Sequence, residues 1–346
     1  MVLSKKRTLQ NPPQTLRLAV PSDGALSDPT NTFLAECGLA LERGNPRRYT
    51  AAISSLEGGL ALFQRAADIT GRVDEGSADI GIVGLDRFSE SHVERGDGFI
   101  IVPDLGYSRC ELTLAVPEAW ADVTHMSDIA DLAVEFREKG REFRVATKYP
   151  RLVQRFFFRH GVNYFTLVQS SGTLEVAPAM GFADMIADIT SSGTTLRENR
   201  LKTIADGTLL SSQACLIGNK RLLAEPNKLE KARLFIERIE GNLRAGDYFT
   251  VTANVRGTSA DQIAVDVLAQ SVIAGLQGPT VAPVYGRDGE GWYSVTVVIL
   301  QKYHQDALDY FRSIGGTGIS VVQPRYVYNG TSQAFQRLLE IVQGGE

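Results

Sequence analysis

The chain has 346 residues and a net charge of −4, which predicts two or three domains and excludes the basic surface typical of nucleic-acid binding. It has no apolar run of about eighteen residues, so we expect no membrane partner. Three widely spaced cysteines and four scattered histidines predict a reduced, cytoplasmic protein without a zinc site held by protein ligands. The polar, basic segment Met1–Thr15 is interpreted as a tail rather than a secretory signal.

The first β-loop-α unit starts with the apolar strand Leu16–Val20, followed by a turn at Pro21–Ala25. A helix capped by Ser27 or Asp28 comes next, with Pro29 at its first position. Strands and helices alternate to about residue 220, which predicts an α/β fold with one or two mostly parallel sheets. The predicted strands are Tyr49–Leu56, Leu60–Gln64, Ala78–Gly84, Ile100–Val102, Glu111–Val116, Phe143–Thr147 and Phe165–Gln169. The predicted helices are Arg65–Gly76, a helix starting at Leu85, a surface helix within Ala121–Lys139, Tyr149–Gly161, and a short helix after a turn at Gly172–Pro178.

The last part of the chain has a different order of elements, βαββαβ, which is typical of a ferredoxin-like or ACT-like domain. Its predicted elements are Tyr248–Arg256, Ser259–Ile273, Thr280–Tyr285, Trp292–Leu300, Gln305–Ile314 and Ile319–Tyr328. A helix over Lys228–Leu243 joins this domain to the rest, and Ser332–Val342 is expected to form a terminal helix.

The stretch Gly181–Leu201 carries the strongest chemical signal in the sequence. An apolar strand bearing Asp184 and Asp188 is followed by the small polar loop Thr190–Thr195, and then by a helix start. Glycine at 193 permits close approach of a ligand to the backbone, while the N–H groups and hydroxyls of the loop can donate to an anion. A carboxylate at the strand end suits paired hydroxyls such as those of a ribose. The alternative is a Ser/Gly-rich turn that merely caps a helix.

Seven stretches, taken in chain order, match the pattern of one enzyme family. They resemble the long form of ATP phosphoribosyltransferase, the first enzyme of histidine biosynthesis, over about residues 15 to 328. The most specific part is Glu175–Leu201, which matches that family's site for phosphoribosyl pyrophosphate. The stretches are Leu16–Val20 with Leu26–Asp28, Asp68–Ile69 with Gly76–Gly84, Val145–Pro150, Glu175–Pro178, Ala183–Leu196 with Asn199 and Leu201, Ser212–Ile217, and Gly278–Val281.

The resemblance implies a two-lobed α/β catalytic part like that of periplasmic binding proteins, followed by an ACT-like regulatory domain. Residues 15–112 and 207–245 would form the first lobe, 113–206 the second, 246–330 the regulatory domain, and 331–346 a tail containing the terminal helix. The chain would cross between the lobes at about Glu111–Val116 and return at about Ser211–Gly218. The family also implies a homo-hexamer built from dimers, with histidine as the allosteric feedback inhibitor.

The reaction implied by the resemblance is displacement of pyrophosphate from C1 of phosphoribosyl pyrophosphate by N1 of the adenine of ATP. Positioning and charge stabilisation would carry most of its rate, since the transition state resembles an oxocarbenium ion. Mg²⁺ would neutralise the pyrophosphate and be held chiefly by substrate oxygens and water, so few dedicated protein ligands are expected.

The same resemblance assigns residues to the phosphoribosyl pyrophosphate site. Asp188 would bind ribose hydroxyls, and Glu175 would lie near the second hydroxyl or the magnesium shell, unless it is only a helix N-terminal acid. Arg65 and Lys148 would contact the pyrophosphate or the phosphates of ATP, unless they are solvated surface charges. The 5-phosphate would be held by Ser191, Ser192, Gly193, Thr194, Thr195 and Leu196.

Two further groups of residues are candidates for ligand binding. Gly84, Asp86 and Glu90 follow a strand end, where they would face ATP, although a helix start explains the two acids equally well. In the last domain the candidate contacts for histidine are Thr280, Ile319 and Ser320. An ACT-like fold does not fix its ligand, so another amino acid remains an alternative effector.

The first β-loop-α turn departs from the family. Where the family carries a Lys-x-Gly-Arg-Leu pattern, this chain has Ser22, Asp23, Gly24, Ala25 and Leu26, so both cations are missing and an acid is added. Arg17, Arg43 and Arg47 are candidates to compensate for that loss. The alternative function is therefore a weakly active or non-catalytic paralogue that binds nucleotides or anions.

Overall fold

The computed structural model describes residues 15–45, 47–169, 172–285 and 291–344. All of the predicted tail except Thr15 lies outside these residues. The chain forms two compact units, the first running to Ala35, from Leu39 to Ala232 and from Arg337 onwards, and the second comprising Glu36–Gly38 and Arg233–Gln336. Within the described ranges, no helix combines the length and apolar character needed to cross a membrane.

Strands and helices alternate through the first two thirds of the chain, as the sequence predicts. The strands there are β1 (Leu16–Pro21), β2 (Leu41–Glu42), β3 (Thr50–Ile53), β4 (Gly59–Gln64), β5 (Ile80–Gly84), β6 (Gly98–Val102), β7 (Cys110–Pro117), β8 (Arg144–Thr147), β9 (Thr166–Gln169), β10 (Met185–Thr190), β11 (Leu201–Ser212) and β12 (Ala214–Asn219). The helices are α1 (Ser27–Glu36), α2 (Ala66–Asp74), α3 (Leu85–Ser91), α4 (Met126–Glu138), α5 (Pro150–Arg159), α6 (Thr194–Glu198), α7 (Lys220–Leu223) and α8 (Pro226–Ala245).

The first lobe is built on a sheet with the strand order β2-β3-β4-β1-β5-β12-β6. Its central strands β1 and β5 are almost continuously apolar and buried, as expected when both faces of a sheet are covered. Because β4, β1 and β5 are parallel, their carboxyl ends lie at one edge of the sheet. That edge carries Arg65 after β4, the altered turn Ser22–Ala25 after β1, and Gly84 at the end of β5.

The second lobe is built on a sheet with the strand order β11-β7-β10-β8-β9. β8 and β10 are parallel, with Thr147 opposite Ala187, so the residues that follow them leave the sheet side by side. α4 and α5 pack apolar side chains onto this sheet and share its core, including Ile129, Phe136 and Phe157. The predicted surface helix is therefore amphipathic, with one face inside the lobe.

β7 and β11 connect the two lobes and pair with each other in antiparallel fashion. The chain enters the second lobe along β7, and after Ser212 it returns to the first lobe as β12. The residue bounds of the two lobes stay predictions.

The second unit contains the predicted βαββαβ domain. Its elements are β13 (Tyr248–Arg256), α9 (Ala260–Leu268), β14 (Thr280–Pro283), β15 (Trp292–Leu300), α10 (His304–Ser313) and β16 (Thr317–Val322). The terminal helix α11 (Gln333–Gln343) follows, and its residues from Arg337 onwards belong to the first unit. The strand order β14-β15-β13-β16 is that of a ferredoxin-like sheet. Val251 and Val295 of the sheet share one core with Phe311 of α10. Together with the two α/β lobes, this domain confirms the fold class inferred from the sequence.

Three element predictions are wrong in detail. Residues 175–180 form turns rather than a helix, because the N–H of Phe182 folds back onto the carbonyl of Ala177. The helix predicted over Ser259–Ile273 ends at Leu268, and a turn then carries Ile273 into the core. The last strand ends at Val322, since Pro324 has no N–H to continue the ladder.

Candidate active site

The centre of the site is Asp188, at the carboxyl end of β10. Its side chain is 9% exposed, and its Oδ1 accepts a hydrogen bond from the N–H of Ile189 at 2.8 Å. Burial raises the pKa of this carboxyl above its ordinary value, and the charge of Glu175 adds to the rise. The Ile189 N–H and the charges of Lys148 and Arg87 act in the opposite direction. Asp184, the other acid of this strand, lies at its amino end and is paired with Arg144 at 3.2 Å.

The loop after Asp188 is held in shape by its own side chains. Thr190 Oγ1 accepts a hydrogen bond from the N–H of Gly193 at 2.9 Å, and Gly193 adopts a left-handed φ of 69° as the residue before α6. The Arg197 guanidinium donates to the Ser192 carbonyl and to Thr194 Oγ1, both at 3.2 Å. Leu196 is buried beneath the loop. The loop is thus a folded cradle with a cation at its base.

A cavity of about 530 Å³ adjoins this cradle on the side of β7 and β11. Thr190–Gly193 and Arg197 line one part of it, and Arg109–Glu111 and Ser211–Gln213 line the other. Its volume suits a small phosphorylated ligand. Arg109 and Arg197 bring positive charge to this cavity, while Glu111 also lines it and Arg109 is paired with Asp104 at 2.7 Å. The sequence did not indicate either arginine, because lone arginines carry no recognisable spacing.

Glu175 and Lys148 lie near enough to Asp188 for their charges to act on it, while their contacts with substrate stay predictions. Glu175 is half-buried in the turn before β10, and Lys148 is half-buried directly after β8. The register of β8 against β10 puts Lys148 beside Asp188, on the flank of β10 opposite the cavity. Arg65 belongs to the first lobe and is exposed, next to the altered turn, where the N–H of Ser22 donates to the Gln64 carbonyl at 2.7 Å.

The acids Asp86 and Glu90 of α3 are both buried and hydrogen-bonded within the protein. Asp86 accepts from the hydroxyls of Tyr149 at 2.6 Å and Ser212 at 2.7 Å. Glu90 accepts from the N–H groups of Arg151 and Leu152, at 2.9 and 3.0 Å, in the first turn of α5. Two carboxylates of the first lobe therefore hold the start of α5 in the second lobe.

Gly84 immediately precedes α3 and makes room for the first of these acids. A Cβ at this position would lie 2.3 Å from Asp86 Oδ1. Contacts of Gly84, Asp86 and Glu90 with ATP stay predictions. The hydrogen bonds of Asp86 and Glu90 within the protein give these two acids a structural role that their spacing in the sequence did not reveal.

Of the arginines expected to replace the missing cations, Arg17 does not lie at the altered turn, while the compensating roles of Arg43 and Arg47 stay predictions. Arg17 is at the opposite end of β1, where its guanidinium binds Asp79 at 2.9 and 3.0 Å. Asp79 is fully buried and also contacts the Lys228 ammonium at 3.3 Å. Arg43 donates to the Arg48 carbonyl and stacks on Phe63 at 4.1 Å. The expectation that Arg17 compensates is therefore wrong, because the β-strand separates its side chain from the turn.

Two of the candidate histidine contacts, Thr280 and Ser320, share one row of the four-stranded sheet but lie at its two edges, while Ile319 packs against the core of the domain. Thr280 on β14 is opposite Thr296, which is opposite Thr252, which in turn is opposite Ser320 on β16. The hydroxyls of Thr252 and Thr296 are 3.0 Å apart. With strands about 4.8 Å apart, Thr280 and Ser320 are separated by roughly 14 Å. A single amino acid cannot bridge them within one chain.

Comparisons with known proteins agree with this architecture. A family model described as ATP phosphoribosyltransferase matches residues 65–241, and one for the C-terminal domain of the same family matches residues 245–324. ATP phosphoribosyltransferase 2, chloroplastic, of Arabidopsis thaliana is 36% identical over 94% of this chain and 80% of its own length. ATP phosphoribosyltransferase of Rhodopseudomonas palustris strain BisB18 is 33% identical over 93% of this chain and 96% of its own.

A solved structure gives the same assignment. A chain of the ATP phosphoribosyl transferase (HisG:HisZ) complex from Thermotoga maritima aligns with a TM-score of 0.51 and 25% identity, covering 65% of this chain and 96% of its own. The relatives carry the name of an enzyme, which does not favour the non-catalytic alternative. The chain therefore belongs to the ATP phosphoribosyltransferase family.

Proposed function

We infer that the protein transfers the phosphoribosyl group of phosphoribosyl pyrophosphate to N1 of the adenine of ATP, which is the first step of histidine biosynthesis. Membership of the family supports this activity. The observation in the structure that carries it is the buried Asp188 carboxylate beside the Thr190–Thr195 cradle, with a cation on each flank of β10.

The cradle is proposed to hold the 5-phosphate. Ser191, Ser192, Gly193, Thr194 and Thr195 supply hydroxyl and N–H donors, and Arg197 adds a positive charge beneath them. Donors of this kind bind phosphate without a dedicated basic pocket. Leu196 anchors the loop by its burial, which keeps the donors in place before the substrate arrives.

Asp188 is proposed to accept hydrogen bonds from the ribose hydroxyls. Burial makes its ionised form costly in the free protein, as the raised pKa indicates, so two hydroxyl donors stabilise it strongly. Its charge then lies beside the ribose ring, where positive charge develops as the bond from C1 to pyrophosphate breaks and the bond to N1 forms. Lys148, and Arg65 from the other lobe, are proposed to bind the negative charges of pyrophosphate and ATP.

Magnesium fits this site through its carboxylates. The charge of Glu175 acts on Asp188, so two acids of the kind that Mg²⁺ prefers lie close together. Among the described residues, no group of three or more His, Cys, Asp or Glu side chains is placed to hold a metal ion. We propose that Glu175, with Asp188, meets a substrate-bound Mg²⁺ through water, and the ion would neutralise the pyrophosphate.

Regulation and assembly are proposed from the family alone. We expect histidine to inhibit the enzyme through the second unit, and six copies to assemble from dimers. A shift in thermal stability with histidine, but not with other amino acids, would support the effector, since a ligand that binds the native state stabilises it. No shift at millimolar histidine would contradict it. The cytoplasmic location also stays a prediction.

The activity is tested by incubating the protein with ATP, phosphoribosyl pyrophosphate and Mg²⁺ and following the absorbance of the product. Asp188→Ala should abolish turnover, while Asp131→Ala, which removes an exposed acid on α4, should not change it. Absence of product from the unaltered protein would refute the function. Full activity of Asp188→Ala would refute the site.

A further inference from the structure

Arg87 is a cation of the first lobe that reaches the second lobe. It lies in the first turn of α3, and its guanidinium carbon stacks 4.4 Å from the ring centroid of Tyr149, at the start of α5. One of its N–H groups is 3.5 Å from the carbonyl oxygen of Lys148. These contacts place the guanidinium at the carboxyl end of β8, next to Lys148.

The charge of Arg87 is weakly compensated by its neighbours. Among the described residues its ion-pair partner is Asp86, whose Oδ2 is 3.9 Å from Arg87 Nε. That carboxylate already accepts the hydroxyls of Tyr149 and Ser212 at 2.6 and 2.7 Å. The Arg87 side chain remains 26% exposed, so its N–H donors stay accessible to a ligand.

The position of Arg87 brings it to the ribose-binding carboxylate proposed above. Lys148 and Asp188 leave the sheet side by side, because Thr147 pairs with Ala187. Arg87 contacts the Lys148 backbone, and its charge, like that of Lys148, lowers the pKa of Asp188. Two cations therefore lie on the flank of β10 that faces away from the phosphate cradle and its cavity.

Apart from Arg87, the cation proposed on this edge of the first lobe is the exposed Arg65, which lies next to the altered turn. The turn Ser22–Ala25 carries no cation and adds Asp23. A substrate held with its 5-phosphate in the cradle and its ribose on Asp188 extends its remaining anionic group toward the opposite flank, where Lys148 and Arg87 lie.

We propose that Arg87, together with Lys148, binds the pyrophosphate group of phosphoribosyl pyrophosphate. The proposal rests on the function inferred above and names a residue that the sequence did not suggest. The planar guanidinium can donate two parallel hydrogen bonds to phosphate oxygens, which an ammonium group cannot. Negative charge grows on the pyrophosphate as its bond to C1 breaks, so Arg87 acts on the leaving group as well as on binding.

The test compares Arg87→Gln and Arg87→Lys with Arg155→Gln, a matched loss of charge at an exposed arginine on α5. Arg87→Gln should lower kcat/KM for phosphoribosyl pyrophosphate by about 10- to 100-fold, the loss expected for charged hydrogen bonds, and leave KM for ATP unchanged. Arg87→Lys should recover part of this loss. An Arg87→Gln effect no larger than that of Arg155→Gln, or one confined to KM for ATP, would overturn the proposal.

A second measurement separates this proposal from the inferred activity and from a purely structural role of Arg87. Binding of pyrophosphate alone is followed by calorimetry for the unaltered protein, Arg87→Gln and Arg87→Lys, and thermal melting is recorded for all three. Weaker pyrophosphate binding at an unchanged melting temperature supports the proposal even if the unaltered protein makes no product. Equal pyrophosphate binding, or a binding loss that Arg87→Lys and Arg87→Gln share with a lowered melting temperature, overturns it.

Discussion

Replacing Asp188 by asparagine should change activity and stability in opposite directions. The carboxyl is buried, receives one N–H bond at 2.8 Å, and has a raised pKa, so its ionised form is costly in the folded protein. Asparagine has the shape of the protonated carboxyl and no charge. We therefore expect Asp188→Asn to fold at least as well as the unaltered protein while losing most of its turnover.

The loss of activity follows from the ribose hydroxyls assigned to Asp188. A hydrogen bond to a charged group contributes about 1.5–3 kcal/mol, so two of them contribute about 3–6 kcal/mol. At about 1.4 kcal/mol per factor of ten, this corresponds to roughly 10²- to 10⁴-fold in kcat/KM for phosphoribosyl pyrophosphate. Asparagine keeps one acceptor oxygen, which places the expected loss near the lower figure. Steady-state kinetics with varied phosphoribosyl pyrophosphate measure it.

The gain in stability should depend on pH. A carboxyl whose pKa is raised on folding contributes stability that is fully present below its ordinary value of 3.8 and is lost as pH rises through the raised pKa. Asparagine is not subject to that loss, so the melting temperature of Asp188→Asn relative to the unaltered protein should increase from about pH 4 to pH 7. Asp131→Asn, at an exposed site, is the control. A variant that melts lower at pH 7, or that retains full kcat/KM, would show that the reasoning about Asp188 is wrong.

Three further substitutions probe other features. Gly193→Ala should raise KM for phosphoribosyl pyrophosphate about tenfold, because a left-handed φ costs an alanine about 1–2 kcal/mol and its Cβ would lie 3.0 Å from the Arg197 guanidinium. Gly140→Ala, at a φ of 67° in open space, controls for backbone strain alone. Equal KM values in the two variants would contradict the role of the loop. Asp79→Asn should destabilise the first unit by about 3–5 kcal/mol in urea denaturation, because the Arg17 guanidinium and the Lys228 ammonium lose a buried carboxylate and Lys228 keeps only Glu225, at 3.1 Å. A loss below 1 kcal/mol, roughly that of a surface pair, would refute this. Glu90→Gln should lower the free energy of unfolding by about 1–2 kcal/mol, because it removes the charge of the carboxylate that caps α5. Glu94→Gln, at an exposed site, should leave stability unchanged. Equal melting temperatures of the two variants would argue against the cap.

The fold was largely predictable from the sequence because its signals are local. Apolar runs such as Leu16–Val20, and the alternation over Trp292–Leu300, define strands without knowledge of their partners. The errors occur where a tertiary contact overrides a local pattern. Ile273 continues the apolar face of α9 in sequence, yet the chain turns before it to bury the side chain beside the sheet.

The candidate site was predictable on one side and not on the other. The cradle and Asp188 form a contiguous motif, so the sequence displays them together. The contacts of Asp86 with Tyr149 and Ser212 join residues 63 and 126 positions apart, and no spacing rule reveals such pairs. Arg87 could not be predicted for the same reason. Its position just after the end of β5, between the candidate acids Asp86 and Glu90, was nevertheless a usable signal.

The order of strands in the first lobe has a consequence for how the protein is made. β12 lies between β5 and β6, and β6 is hydrogen-bonded to the sheet through β12. Val102 ends β6 and Ala214 begins β12, so the ribosome must add the whole second lobe before the first can close. At about 5–20 residues per second, those 112 positions take roughly 6 to 22 s. During that interval the apolar edge of β5 lacks its neighbour, which makes chaperone binding to the nascent first lobe an expected feature of its biosynthesis.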